Sequence, residues 1–266
     1  VDFKRAISEL TENSSSLFAI HYSCQNLSDS NEGYSPRITS IAVLHIEHSI
    51  MHSFSIHLIA EEKHVERDKI ESHYDSLEGE MLSRFYAFVS DNPDARWIHW
   101  NMSNINYGFE TLSHRYRVLT AKEAPRIPDA RRYNLSTLIM AKYGSDCVDD
   151  PKMAKLMDLN GGKHRDFLSG ADEVNAFQDK EFVKLHKSTM SKAYWFQKMY
   201  LRLLDSSIKT QRSNWKAKAN RALESLPAKI LGFIAVLFTV GQLIYIGVQS
   251  TNGNKEVSES NQEQGK

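Results

Sequence analysis

Two groups of residues have the types and spacing to do chemistry. The first lies in WIHWNMSNINYGFETLSHR (97–115), where Trp97, Trp100, Asn101, Asn104, Asn106 and Tyr107 crowd the joint between an apolar run and an amphipathic one. Amides and aromatic rings at the carboxyl end of a strand are suited to grip a base, a ribose or a nucleotide. The second group is acidic: Asp158, His164, Asp166, Asp172 and Glu173, with Glu110 one turn beyond Asn106. Converging carboxylates would hold a divalent metal such as Mg²⁺ or Mn²⁺, and His164 beside such a metal would serve as a general base. Each group also has a structural explanation. Trp97 and Trp100 suit a core, and Ser103 or Asn104 suits a helix cap. Asp172 and Glu173 after Gly170 complement the dipole of a helix they open, as does Glu110 in its own helix. Arg115, Arg117, Arg126, Arg131 and Arg132, with His114, could meet phosphates or form a solvated face.

The elements that must position these residues can be read from periodicity. SLFAIHYSC (16–24) is a short apolar run fit for a central strand. RITSIAVLHIEH and SFSIHLIAEE alternate as two further strands, joined as a hairpin near His48 to His52. From Arg67 to Val89 the apolar residues step by three and four, predicting an amphipathic helix that DNPDA stops. RWIHW is the next strand, and Ile105 to Val118 the next helix. The remainder is helix-rich, with Gly144 and then Gly161 and Gly162 as helix terminators, and one or two long helices over 170–207. The order predicts an α/β fold, a mixed sheet flanked by helices with a helix-rich second half.

That element order, together with three stretches, resembles the DEDD-type 3′–5′ exonucleases of the ribonuclease H-like superfamily over roughly Leu17 to Leu204. The resemblance implies Asp-x-Glu on the first strand, where FAIHYSC carries His21 and Ser23. It implies a second motif where WNMSNINYGFETL keeps Asn101 and puts Asn106 at the metal-binding aspartate, with one extra residue between Asn101 and Ile105. It implies a last histidine and aspartate where GGKHRDFLSGADEVNAF offers His164 and Asp172 at a wider separation than usual, Ser169 standing at the usual spacing. Family members hold two metals that activate water for phosphodiester hydrolysis. Only Asp172 matches one of the four carboxylates, so the resemblance implies a degenerate site. The expected ligand cleft comprises His21, Ser23, Trp100, Asn101, Asn106, Tyr107, His164 and Asp172. Its alternative is a migrated metal site, Mg or Mn, with Asp172, Glu173, His164, Glu110 and Asp158 as catalytic residues.

Composition sets the outer limits. The chain has 266 residues, 41% hydrophobic content and a formal net charge of zero from 33 basic and 33 acidic residues, so bulk charge does not mark a nucleic-acid binder. Cys24 and Cys147 are isolated, which fits a reducing compartment. His45, His48, His52 and His57 lack H-E-x-x-H spacing and read as strand or surface residues. The run ILGFIAVLFTVGQLIYIGV (230–248) carries no charge and is long enough to cross a bilayer. Six basic residues between Lys209 and Lys229 precede it, and only Lys255 and Lys266 follow. The positive-inside rule puts the large N-terminal part in the cytoplasm. The expected organisation is an exonuclease-like domain over 1–205, a basic juxtamembrane segment over 206–229, one transmembrane helix over 230–250 and a polar tail over 251–266 on the far side. No leader peptide is expected at the start, VDFKRAISELTENSSS.

Three functions suit this organisation. The first is a membrane-anchored, catalytically inactive binding or sensing module for a nucleic acid, nucleotide or protein, needing no cofactor, in a stress or anti-phage defence system. The second is an active metal-dependent exonuclease with rearranged carboxylates. The third is a membrane scaffold or effector that self-associates or meets a protein partner through its helix.

Overall fold

Asp2 caps the first helix, α1 (Phe3–Glu12), by accepting from the Arg5 N–H, and the chain then enters β1 (Leu17–Cys24). All eight β1 residues are buried, as are all eight of β2 (Ile38–His45), because both strands are covered on two faces. The hairpin turn falls at Ile46 to Ser49, and β3 (Ile50–Ser55) returns antiparallel. The computed structural model describes residues 2–25, 36–102, 107–212, 235–240 and 242–243.

The second predicted hairpin strand is shorter than its alternation suggests. At Ser55 the chain turns into α2 (Ile56–Glu62), where Ile56, Ile59 and Ala60 are buried at helical spacing. Two short 3-10 turns fill the first part of the predicted long helix, and α3 (Tyr74–Asp91) forms the rest. Next come β4 (Arg96–His99), α4 (Phe109–Thr120) and a three-residue β5 (Arg132–Asn134). Gly108, in extended backbone, takes the cap position of α4, not Ser103 or Asn104. The helix-rich half consists of α5 (Leu135–Tyr143), α6 (Lys152–Leu159), α7 (Gly170–Gln178) and α8 (Phe182–Leu204). Gly144 ends α5 at φ 95°, as its sequence position predicts.

The sheet order is β3-β2-β1-β4-β5, antiparallel across β3-β2-β1 and parallel across β1-β4-β5, so only β2 runs against the others. Period-two alternation sends Phe18, Ile20 and Tyr22 to one face, packed with α2, α3 and α4. Leu17 and Ala19 join the opposite core with α1, α5, α6 and α8. His21 and Ser23 share that second face. The parallel neighbour β4 and antiparallel neighbour β2 make the carboxyl end of β1 a point where connections leave in opposite directions, and such a point opens a crevice.

One buried ion pair locks the first core. Glu78, fully buried on α3, accepts from the Ile38 N–H at 2.8 Å and from Arg115 Nε and an Nη at 2.8 and 2.7 Å. Arg115 thus ties α4 to α3 and the start of β2, and it is not a phosphate-facing residue. Two more of the stretch are engaged: Arg131 pairs with Asp94, and Arg132 pairs with Glu110 and Asp129 while stacking over Phe109, whereas Arg126 is exposed on the surface.

The chain divides into two units, Val1–Thr210 and Gln211–Lys266. In the second, residues 235–240 are helical. Among the described residues no helix is long and apolar enough to cross a membrane. The expected span over 230–250, most of the basic segment before it and the tail after it lie largely outside the described residues.

Candidate ligand cleft

Where the resemblance calls for Asp-x-Glu, β1 presents His21 and Ser23, and the structure gives each a defined task. Ser23 and its cross-strand neighbour Ser40 both reach Thr189 Oγ1 on α8, at 2.6 and 2.8 Å. Ser188, Thr189 and Lys192 lie within one turn of the α8 face packed under β1 and β2, a polar island in an otherwise apolar stripe. Glu173, in the first turn of α7, enters the island from the side. Its Oε1 accepts from Lys192 Nζ at 2.6 Å, Ser188 Oγ at 3.0 Å and Ser23 Oγ at 3.2 Å. The Lys192 and Glu173 side chains are only 6% and 10% exposed, so this is a buried, hydrogen-bonded ion pair.

This donor set does not fit a pair of divalent cations. A metal site needs several free anionic oxygens, whereas the one carboxylate here already holds an ammonium group and two hydroxyls. Its cation would repel an incoming metal. The other candidate acids stand apart. Asp172 is exposed and closes a capping box with Ser169, whose hydrogen bonds pull its carboxyl below the ordinary carboxylate value. Glu110 is held by Arg132, and Asp158 is 3.7 Å from Lys163 on the surface. Among the described residues no group of three or more His, Cys, Asp or Glu is placed to hold a metal ion.

A cleft of about 320 Å³ opens above this island, between β1, the end of β4, α6 and the start of α7. Trp100, Tyr107, Phe167 and Met153 form its apolar wall, with Ser169, Glu173 and Lys192 contributing polar edges. Lys192 Nζ also lies 5.2 Å from the centre of the Phe167 ring, a cation–π contact. Tyr107 stacks on Tyr22 at 4.4 Å and donates its hydroxyl to the Tyr22 carbonyl at 3.1 Å. With that hydrogen committed, the phenol oxygen accepts from His21 Nδ1–H at 3.3 Å, and the imidazole is left with a lone pair on Nε2. That Nε2 is buried without a partner. Burial, and secondarily the charge of Lys192, holds His21 well below the ordinary imidazole value, so the ring is neutral.

Of the sequence-predicted cleft residues, His21, Trp100, Asn101 and Tyr107 meet here, and Ser23 lies beneath in the island. Asn101 is in left-handed backbone (φ 53°), held by reciprocal bonds with Asn134, so its amide side chain serves the turn. Asn106 falls outside the described residues. His164 and Asp172 are not in the cleft; His164 is exposed on the loop after α6, 3.5 Å from Asp166. Sequence reasoning missed Lys192, Ser188, Thr189, Phe167 and Met153. The available signal was KSTMSK (187–192), which interrupts the apolar periodicity of a long helix.

No protein family matches the chain. Neither does any curated protein or solved structure.

Proposed function

We propose that the chain is a ligand-binding module: a ribonuclease H-like, exonuclease-type domain whose metal carboxylates have been exchanged for a buried lysine–glutamate pair, tethered to a membrane by its C-terminal apolar run. The cleft takes the base of a nucleotide or of a nucleic-acid end. The observation that carries this is Lys192 on Glu173 directly beneath an aromatic-walled cleft at the end of β1. The element order, three strands, helices and then two strands separated by α4, agrees with the resemblance. Aromatic walls favour a flat heterocycle, and base stacking of this kind contributes about 1–3 kcal/mol per base. Lys192 retains donors for a ring nitrogen or carbonyl, and the bare His21 Nε2 is an acceptor in the same wall. A cytoplasmic sensor of this kind on a membrane would suit a stress or anti-phage defence system.

Calorimetric titration of the full chain in mild detergent with the four nucleoside monophosphates tests this. Binding of at least one, lost in Ala154→Trp because the indole fills the cleft from α6, is the expected result. Equal binding by Ala154→Trp places the ligand elsewhere and overturns the proposal.

A further inference from the structure

The inner side of α8 packs under β1 and β2, and its outer side has a composition of its own. Seven residues are exposed between Phe182 and Leu204. Four are apolar, Val183, Tyr194, Leu201 and Leu204, each 38–50% exposed and brought to one side by the helical period. The other three are Lys184, Lys187 and Lys198. Every exposed position of this helix is therefore apolar or cationic. The half-buried polar positions beside them are already engaged: Gln197 donates to the Ile46 carbonyl and to Ser49, and Arg202 donates to Asn160. Elsewhere in the first unit, among the described residues, only Ile50 and Val118 are exposed large hydrophobic residues.

The charges of this face are open. Lys187 and Lys198 have no ion pair among the described residues, and Lys184 pairs with Glu181 at the amino-terminal cap. The acid at the other end, Asp205, lies beyond the helix and accepts from the Ser207 N–H at 3.0 Å. From Val183 to Leu204 the face extends about 30 Å. An apolar stripe bordered by lysines suits a helix lying in a bilayer interface: its apolar side chains enter the acyl boundary while the ammonium groups reach the headgroups. A nucleic acid would use the lysines but leave Val183, Leu201 and Leu204 in water. Two copies of the face would set lysines against lysines. The uncharged apolar run that begins at Ile230 follows in the same chain, and a tether there would hold α8 near a bilayer at high effective concentration.

We propose that the outer face of α8 docks on an anionic lipid surface, with Val183, Tyr194, Leu201 and Leu204 in the interface and the three lysines on the headgroups. The proposal rests on the membrane tether proposed above and adds to it: the apolar run supplies attachment, and α8 fixes which side of the domain meets the bilayer.

The test reconstitutes the full chain into vesicles of phosphatidylcholine with about one-third phosphatidylserine, or of phosphatidylcholine alone. An environment-sensitive fluorophore is attached at Tyr194→Cys or, as a control, at Lys122→Cys, an exposed position following α4, which packs in the first core. Both native cysteines are buried. Spin-labelled lipids report contact by quenching, flotation reports attachment, and matched thermal melts verify folding. The expected result is strong quenching at position 194 and little at 122 in the anionic vesicles, with the difference lost in phosphatidylcholine alone. Lys187→Glu/Lys198→Glu should lower the docking equilibrium by at least about 25-fold, roughly fivefold for each lysine removed, and Leu201→Glu should weaken it through the stripe. Protein that floats with the vesicles but is unquenched at 194 overturns the docking face and leaves the tether standing. Protein quenched at 194 yet stripped from the vesicles by high salt overturns the tether and leaves the face standing. Equal quenching in the two lipid mixtures overturns anionic recognition. A fluorophore shielded from water but unquenched by lipid shows a protein on the face, a second copy or an acidic partner, and overturns lipid docking.

Discussion

Replacing Lys192 with methionine keeps most of the side-chain volume and removes the charge, leaving Glu173 buried with only the Ser23 and Ser188 hydroxyls. At the observed 2.6 Å the direct attraction is about 6 kcal/mol for an effective dielectric of about 20, most of which offsets desolvation of the two ions. Deleting one partner leaves the other's desolvation uncompensated, at a cost of about 3–5 kcal/mol. For a folded unit of this size that lowers the melting temperature by roughly 10 °C. Glu173→Gln should cost a similar amount by stranding Lys192. The double variant Lys192→Met/Glu173→Gln should be more stable than either single variant, because it removes both charges and keeps an oxygen for the two serines. Thermal melts of the full chain in detergent, followed by tryptophan fluorescence, measure all four proteins. A Lys192→Met shift below about 2 °C, or strictly additive losses in the double variant, would refute the claim that these charges are buried and mutually dependent.

Acid sensitivity should trace to buried histidines. His186 is brought down to about 4 by burial and then by nearby His57, whose own value burial also lowers, so the unfolded chain binds more protons between about pH 4 and 6.5. Stability from His186 is complete above about pH 6.5 and is lost as pH falls towards about 4, at about 1.4 kcal/mol per unit, and partly exposed His57 adds less in the same direction because solvent screens it. His186 Nδ1 has no hydrogen-bond partner, so His186→Leu should be nearly neutral at pH 7 and should flatten the acid limb of a melting-temperature profile. An unchanged profile would contradict the assignment. Arg115→Met should destabilise by about 3–5 kcal/mol by stranding Glu78, and Arg115→Lys should recover only part, since an ammonium cannot reproduce the two-pronged contact. Full recovery by lysine in thermal melts would show that the fork geometry is irrelevant.

How far the sequence disclosed this molecule varied with the range of the interactions. β1, the hairpin, β4 and the helical second half follow from periodicity because each buries a face of its own. The α2 helix was hidden since Ile56 and Ile59 continue the apolar character of β3, and only their spacing betrays the change. β5 is three residues long and exists because β4 is beside it. The cleft was half visible: Trp100, Asn101 and Tyr107 cluster in the chain, and the resemblance placed His21 and Ser23 beside them. Glu173 and Lys192 are 19 residues apart on separate helices, and Ser23 is 150 residues from Glu173. No local pattern announces such a meeting. Asp172, the one carboxylate the resemblance offers, is drawn off into a helix cap while its neighbour turns inward.

The most direct measurement on the central claim is incubation of end-labelled single-stranded DNA and RNA with the full chain in Mg²⁺ or Mn²⁺, scored at once for retention and for shortening. A lysine–glutamate pair in place of a metal centre predicts strands that are bound and remain full length. Shortening that EDTA abolishes and Glu173→Gln abolishes would show a working metal centre where that ion pair stands, and would contradict the account.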